Sequence, residues 1–544
     1  MAVRGSHEGD HVLALINGRI LAFGSTEAVT RHATALLIEG GAIARVGDDR
    51  TIIDGAGTSG EVVDLHAASV APGFIDAHIH AFDCALASLR VSCLPPSVDA
   101  LAILKRRMAE RAESTPAGGW VVGAGYDDMR LGERRHPTRW DLDQAVPDHP
   151  AVVTRSCGHM TVANTRALML AGVDECSPDP PGGAIVHDGA GQPTGLLLEV
   201  AQQLVLEIIP PAGTEEIAAA LARTGRSMLA HGITTIGEAL LGAFHPLEPE
   251  IWARVLASDW RGPNVRFLAS PDSIEAGGAS GLIVIGTKLF ADGVIAGRTA
   301  AVATPFEGGD DAGMLIHSSE ELTALVERSI ARGLPVGIHA MGDRGIAEAV
   351  AAIERAEHRS ANSPVGAFPR RHRIEHCTLP SPGSLERMAA LGIVPVPQPV
   401  FLFAEGEAYA DQLGALRYPH AYPLRTMIER GLRPALSSDA PATSWEDPFD
   451  PWLGIRAAAT RMTWAGSQLG MAETISLDQA MASYTANGAY ALRLEGRTGA
   501  IVEGNDADLL VFPADPLANG PDHVGDVRPS AVLMGGRVVH GGFV

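Results

Sequence analysis

Between Thr214 and Asp439 short apolar runs recur at intervals, each set off from the next by a helix-like or loop segment. The runs are GITTIGEAL (232–240), VRFLAS (265–270), IGTKLFADG (285–293), LPVGIHAMG (334–342), RHRIEHC (371–377), GIVPVPQP (392–399) and LRPALSSD (432–439). A helix precedes the first: Thr214 can cap it, Glu215 and Glu216 suit the positive end of its dipole, and Gly232 stops it just past Ala230. Upstream, Pro72-Gly73 signals a turn into FIDAHIH (74–80), where side chains two apart point the same way on a strand. His78 and His80 then share one face, and Ile75, Ala77 and Ile79 take the other, as a barrel strand packed outward on helices requires. With this opening strand the count is eight. The pattern predicts an α/β fold, a parallel (β/α)8 TIM-like barrel, with an open doubly wound sheet as the alternative.

The two ends read differently. Residues 11–70 are β-rich runs with turn signals at Asn17-Gly18 and Gly40-Gly41, and the tail offers DADLLVFPAD and AVLMGGRVVHGG around another Gly-Gly pair. Paired together they predict one small β-sandwich domain built from residues 1–70 and 486–544, around a barrel of residues 71–485. After His80 the alternation breaks. WVVGAGYDD (120–128), AVVTRSCGHMTVANTRAL (151–168) and AIVHDGAGQPTGLLLE (184–199) read as strands, turns and a short helix. They predict an insert over 83–205, placed as a lid or substrate subdomain where a barrel keeps its active site.

Composition narrows the chemistry. With 46% hydrophobic and 19% charged residues the chain is expected to be globular, and its formal charge of −22 argues against a nucleic-acid partner, whose phosphates need Lys and Arg. A small-molecule substrate fits better. The five cysteines, Cys84, Cys93, Cys157, Cys176 and Cys377, form no paired motif, so neither a disulfide framework nor a Cys-rich zinc site is indicated. With no signal-peptide pattern and no apolar run of about 18 residues, a cytoplasmic protein without a membrane partner is expected. The only lysines are Lys105 and Lys288 in a chain otherwise using Arg, so a surviving lysine belongs where Arg cannot serve.

Groups able to bind metal recur at the ends of the predicted strands: His78 and His80, then Lys288, His339, His376 and Asp439. Neutral imidazoles suit borderline-soft divalent ions. The stretches VAPGFIDAHIH, KLFADGVIAGRTA, HAMGDRG, RHRIEHC, PVPQP, SSDAP and GNDADLLVF resemble the amidohydrolase superfamily, in particular its YtcJ-like and N-substituted formamide deformylase-like branch. SCGHMTVANTRAL resembles the insert motif of the same branch, and the likeness runs essentially the whole chain.

That resemblance implies two divalent ions, most simply zinc. His78, His80 and Asp439 would hold the more buried one, His339 and His376 the other, and Lys288 would bridge them as a carbamate across roughly 3.5 to 4 Å. The competing reading of Lys288 is a buried salt bridge with Asp292. It further implies a metal-activated hydroxide, with Asp439 as general base and then general acid, cleaving an amide-type C–N bond outside peptides, such as an N-substituted formamide or N-acyl amine. A cyclic amidase or deaminase on the same fold, or a non-catalytic regulatory relic, are the alternatives. A homodimer is expected from the resemblance alone. His159 and Arg298 are candidates for gripping substrate, against a surface ion pair or a loop hydrogen bond. Trp120 and Tyr126, with Met129, Phe401 and Trp445, are candidate pocket walls, against simple core packing.

Overall fold

The computed structural model describes residues 11–24, 32–156, 158–258, 260–360 and 370–543. Cys157 of the insert motif and the first ten residues lie outside them. The chain divides into two compact units, one comprising residues 1–81, 222–440 and 449–544, the other 82–221 and 441–448.

In the first unit seven parallel strands lie side by side in sequence order: β1 (Phe74–Ile79), β2 (Ile233–Leu241), β3 (Asn264–Ala269), β4 (Val284–Phe290), β5 (Val336–Ala340), β6 (Arg373–His376) and β7 (Val394–Val396). Helices intervene, among them Ser319–Ala331, Asp343–Ser360 and Pro382–Leu391. Parallel neighbours demand such crossovers, and the strands are buried along most of their length. The expected eighth strand is a correction. Residues 432–439 do not form a regular strand. Ala435 and Ser437 donate their N–H groups to the carbonyls of Pro395 and Pro397, while Asp439 N–H bonds the His78 carbonyl and His80 N–H the Ala440 carbonyl. The segment thus spans the gap between β7 and β1. Pro395 and Pro397 accept but have no N–H to return, so a full ladder cannot form there.

The chain ends supply two further sheets in the same unit. One has four strands from residues 12–64; the other joins Arg19–Ile20 and Ser69–Pro72 to Leu509–Phe512, Ala531–Met534 and Arg537–Gly541. Leu13, Leu15 and Leu36 of the first share an apolar cluster with Val70, Leu509 and Leu533 of the second. Gly40-Gly41 and Gly535-Gly536 turn hairpins as read. Asn17-Gly18 does not: the strands flanking it belong to different sheets, and Asn17, with a φ of 54°, is held by Asp49 and Asp64. Pro72-Gly73 carries the chain from the five-stranded sheet into β1.

The second unit is built on a six-stranded sheet with Val91–Ser92 at one edge and Gly183–His187 at the other, with helices Leu101–Ser114, Arg139–Ala145 and Thr165–Leu170. Its hairpin at Asp188-Gly189 is as expected, closed by Asp188 N–H to the Gln192 carbonyl. The unit is wider than the expected insert of 83–205 and takes in Pro441–Pro448 from far along the chain.

Candidate metal centre

The carboxyl ends of the barrel strands bring six side chains into one continuous group. His78 lies near the end of β1 and His80 just past it; Lys288 is in β4, His339 in β5, His376 closes β6, and Asp439 ends the irregular eighth segment. His78, His376 and Asp439 each offer a ligand atom within 4.8 Å of the others. Asp439 Oδ1 is 3.1 Å from Nε2 of both His78 and His80, and its Oδ2 is 3.7 Å from His376 Nδ1. Lys288 Nζ is 3.4 Å from His78 Nε2, and the His339 and His376 rings lie 4.3 Å apart, centroid to centroid. Asp292 is not the partner of Lys288. Its carboxylate accepts the backbone N–H groups of Ala301, Met341 and Gly342.

Hydrogen bonds on the far side of each ring decide which nitrogen is left bare. His78 Nδ1 is 2.6 Å from Glu375 Oε2, and Arg373 grips both oxygens of that carboxylate at 2.7 Å. An ionised carboxylate only accepts, so His78 carries its proton on Nδ1 and exposes an Nε2 lone pair. Gln398 donates its amide nitrogen to the Val396 carbonyl and Ser437 Oγ, leaving Oε1 to accept from His376 Nδ1 at 2.9 Å. His376 therefore also presents a bare Nε2. His339 donates Nε2–H to the Gly293 carbonyl at 3.0 Å, which frees its Nδ1. Sequence reasoning missed Glu375, Arg373 and Gln398, although Arg373 and Glu375 stand two apart on one strand and Gln398 is the lone amide of PVPQP.

Burial sets the charges. It drives the imidazole pKa of His80 and His376 down, the latter well below its ordinary value, and that of His339 to about 4. Neutral rings are the form that ligates. Burial opposes the charge of Glu375, but Arg373 and His78 outweigh it and hold the carboxyl far below the usual range. Burial likewise opposes the charge of Asp439, yet its carboxyl lies well below the usual range beside the imidazole cluster. Burial brings the Lys288 ammonium down to about 8. Two buried atoms here, His80 Nδ1 and Asp439 Oδ1, make no hydrogen bond among the described residues. Convergent lone pairs, a carboxylate and orphaned polar atoms fit a divalent cation.

The other predicted site residues have contacts of their own. His159 is exposed and paired with Glu199 at 2.9 Å, the surface-ion-pair alternative. Arg298 bonds Gln412 and the Glu307 carbonyl, a loop contact. Tyr126 is fully buried in the core of the second unit with its hydroxyl 3.1 Å from His136 Nδ1, and Trp120 packs on a neighbouring cluster of that unit.

The amidohydrolase family model matches residues 61–540. The chain belongs to the amidohydrolase family. It is 29% identical over 531 residues to the putative amidohydrolase YtcJ of Bacillus subtilis, covering 93% of this chain and 96% of that one. It is equally 29% identical over 533 residues to the N-substituted formamide deformylase of Arthrobacter pascens, covering 93% and 94%. Among solved structures, an uncharacterized metal-dependent hydrolase from Pyrococcus furiosus aligns with a TM-score of 0.73 at 26% identity, over 93% of this chain and all of that one. Membership makes this amidohydrolase a metal-dependent hydrolase on a barrel fold. No helix among the described residues is long and apolar enough to cross a membrane.

Proposed function

We propose that this amidohydrolase hydrolyses a non-peptide C–N bond of the amide type, with N-substituted formamides and N-acyl amines as the substrate class. The observation that carries the reading is the gathering of His78, His376 and Asp439 with a ligand atom of each within 4.8 Å of the others, the two rings fixed by Glu375 and Gln398. The name of the Arthrobacter relative supports the formamide. His78, His80 and Asp439 would hold one divalent ion and His339 and His376 a second, with zinc the simplest choice. When bound, the ions supply an acidified water and polarisation of the substrate carbonyl.

Lys288 would bridge them as a carbamate. Its amine, brought down to about 8 by burial, is neutral in roughly a tenth of molecules at pH 7 and adds to carbon dioxide with release of one proton. Asp439, kept ionised, takes a proton from the attacking water and returns it to the leaving nitrogen. A homodimer acting on a small molecule in the cytoplasm completes the proposal, and sedimentation tests the dimer.

Metal analysis of protein purified without chelator, with a turnover panel of N-substituted formamides, N-acyl amines and cyclic amides, tests the whole. About one ion per chain or more, with turnover of a linear amide, is expected. Metal-free protein, or turnover of cyclic amides alone, overturns it.

A further inference from the structure

Most of the described phenylalanines, Phe74, Phe82, Phe267, Phe306 and Phe512 among them, are buried in the core, but Phe244 and Phe290 are only half-buried and both lie against candidate metal ligands. The ring of Phe244, just past β2, stands 5.3 Å from that of His80, centroid to centroid, at an angle of 68°. Phe290, the last residue of β4, stands 5.3 Å from the His339 ring at 34°, and Lys288 Nζ is 5.3 Å from its centroid. Phe290 is two residues on from Lys288, so the two share one face of the strand. Since β2 adjoins β1 and β4 adjoins β5, each phenyl ring leans from one strand end onto the histidine of the next.

Those two histidines are also the open ones. The side chains of His80 and His339 are 14% and 9% exposed, against 0% for His78 and 4% for His376, so the cluster is most accessible where the phenyl rings stand. Phe244 is held in place there: its N–H donates to Glu248 Oε2 at 3.1 Å, while the N–H groups of Leu247 and Glu248 donate to Nδ1 and the carbonyl of His245, each at 3.0 Å. Phe290 is fixed by the regular strand it ends. A ring already held gives up little freedom on binding, so its contact area goes into affinity. The face of a phenyl ring is electronegative, which disfavours a carboxylate beside it, and a charge desolvated there without a partner costs more still.

We infer that Phe244 and Phe290 set the specificity of the centre, receiving an apolar, uncharged N-substituent of the amide and disfavouring an anionic one. The inference rests on the amide reading above and narrows it: amides of alkyl amines are the substrates, and N-acyl amino acids are not.

N-pentylformamide and N-formyl-4-aminobutanoate, similar in length and different in charge, test it. Ligand-observed NMR titration of the full chain carrying Asp439→Asn gives their affinities apart from turnover, and the unaltered chain gives their kcat and KM. The neutral amide should bind about tenfold more tightly than the anion, or better. Adding Phe244→Ala or Phe290→Ala should weaken the neutral amide about tenfold, as the loss of one apolar contact does in substrate discrimination, while metal content and the affinity of the anion stay as they were. Phe244→Lys should tighten binding of the anion, which a ring of merely structural role would not do. Phe244 lies outside the barrel strands, so its variants keep the test informative if Phe290→Ala fails to fold. No saturable binding of the neutral amide at millimolar concentration, equal affinity for the two amides, or an undiminished preference in Phe244→Ala overturns the proposal. The expected preference in binding, without turnover of any amide by the unaltered chain, upholds it and strikes the hydrolytic reading instead.

Discussion

His376 and Asp439 sit on backbone that L-residues rarely adopt, with φ of 64° and 54°. Such conformations cost of order 1–3 kcal/mol and persist where surrounding structure insists on them. Here the turn at His376 breaks the two-residue alternation of β6, so His376 joins Glu375 at one mouth instead of pointing away from it. The sequence made the ligand candidates legible because strand-end histidines are conspicuous. It hid Glu375, Arg373 and Gln398, whose work is to fix a ring from behind and which read as ordinary polar positions beside RIEH and PVPQP. Asp439→Asn should keep the fold and much of the metal while turnover falls by about 10²-fold or more, because an amide coordinates weakly and cannot accept a proton. Metal content measured beside kcat checks it, and near-normal kcat would remove Asp439 as the base.

Lys288 offers a sharper contrast at the same scale. Lys288→Arg should lose metal occupancy although charge is kept, since guanidinium stays protonated and never becomes an anionic ligand. Lys288→Ala should be inactive too, yet leave room for a small carboxylate. Added formate, acetate or bicarbonate should then restore part of the metal content and rate. A metal-loaded, active Lys288→Arg enzyme would reject the bridging role.

At the scale of elements, the period-two and helix-length patterns located all seven regular barrel strands and the hairpins at Gly40-Gly41, Asp188-Gly189 and Gly535-Gly536. The eighth segment departed because prolines in the partner loop cannot donate, a property visible in PVPQP but not weighed by hydrophobic pattern. Asn17-Gly18 departed because turn chemistry says where a chain bends and not which sheet it enters. One packing constraint between elements bears on the site: a Cβ at Gly337 in β5 would stand 2.5 Å from Glu375 Oε1. Gly337→Ala should therefore push Glu375 off Arg373 and His78, lowering stability by about 1–3 kcal/mol, as overpacking does, and reducing metal retention against a chelator. Unchanged chelator resistance with unchanged melting would show that Glu375 has slack.

At the scale of the whole first unit, Asp508 ties barrel to terminal sheets. Its carbonyl accepts from Gly73 at the entry to β1, and its carboxylate accepts from Gly535 N–H at 2.9 Å, Thr498 Oγ1 at 3.3 Å and Asn264 Nδ2 at 3.4 Å. Burial nonetheless raises its pKa from 3.8 to about 6. The native state thus binds the proton more tightly than the unfolded chain, and the contribution of this group to stability falls as pH rises from about 4 through about 6, then stays flat. Asp508→Asn keeps an acceptor for Gly535 and removes the buried charge, and Thr498 can turn its hydroxyl to accept from the new amide. The advantage of the variant over the unaltered chain should be small near pH 4 and grow by about 2 to 3 kcal/mol by pH 7, which is the free energy of a shift of that size. Thermal melting of both proteins across that range, free of metal, reads it out as a widening gap in Tm with rising pH. A gap that narrows instead would mean that the three donors hold the carboxylate ionised, and that burial at this junction costs nothing.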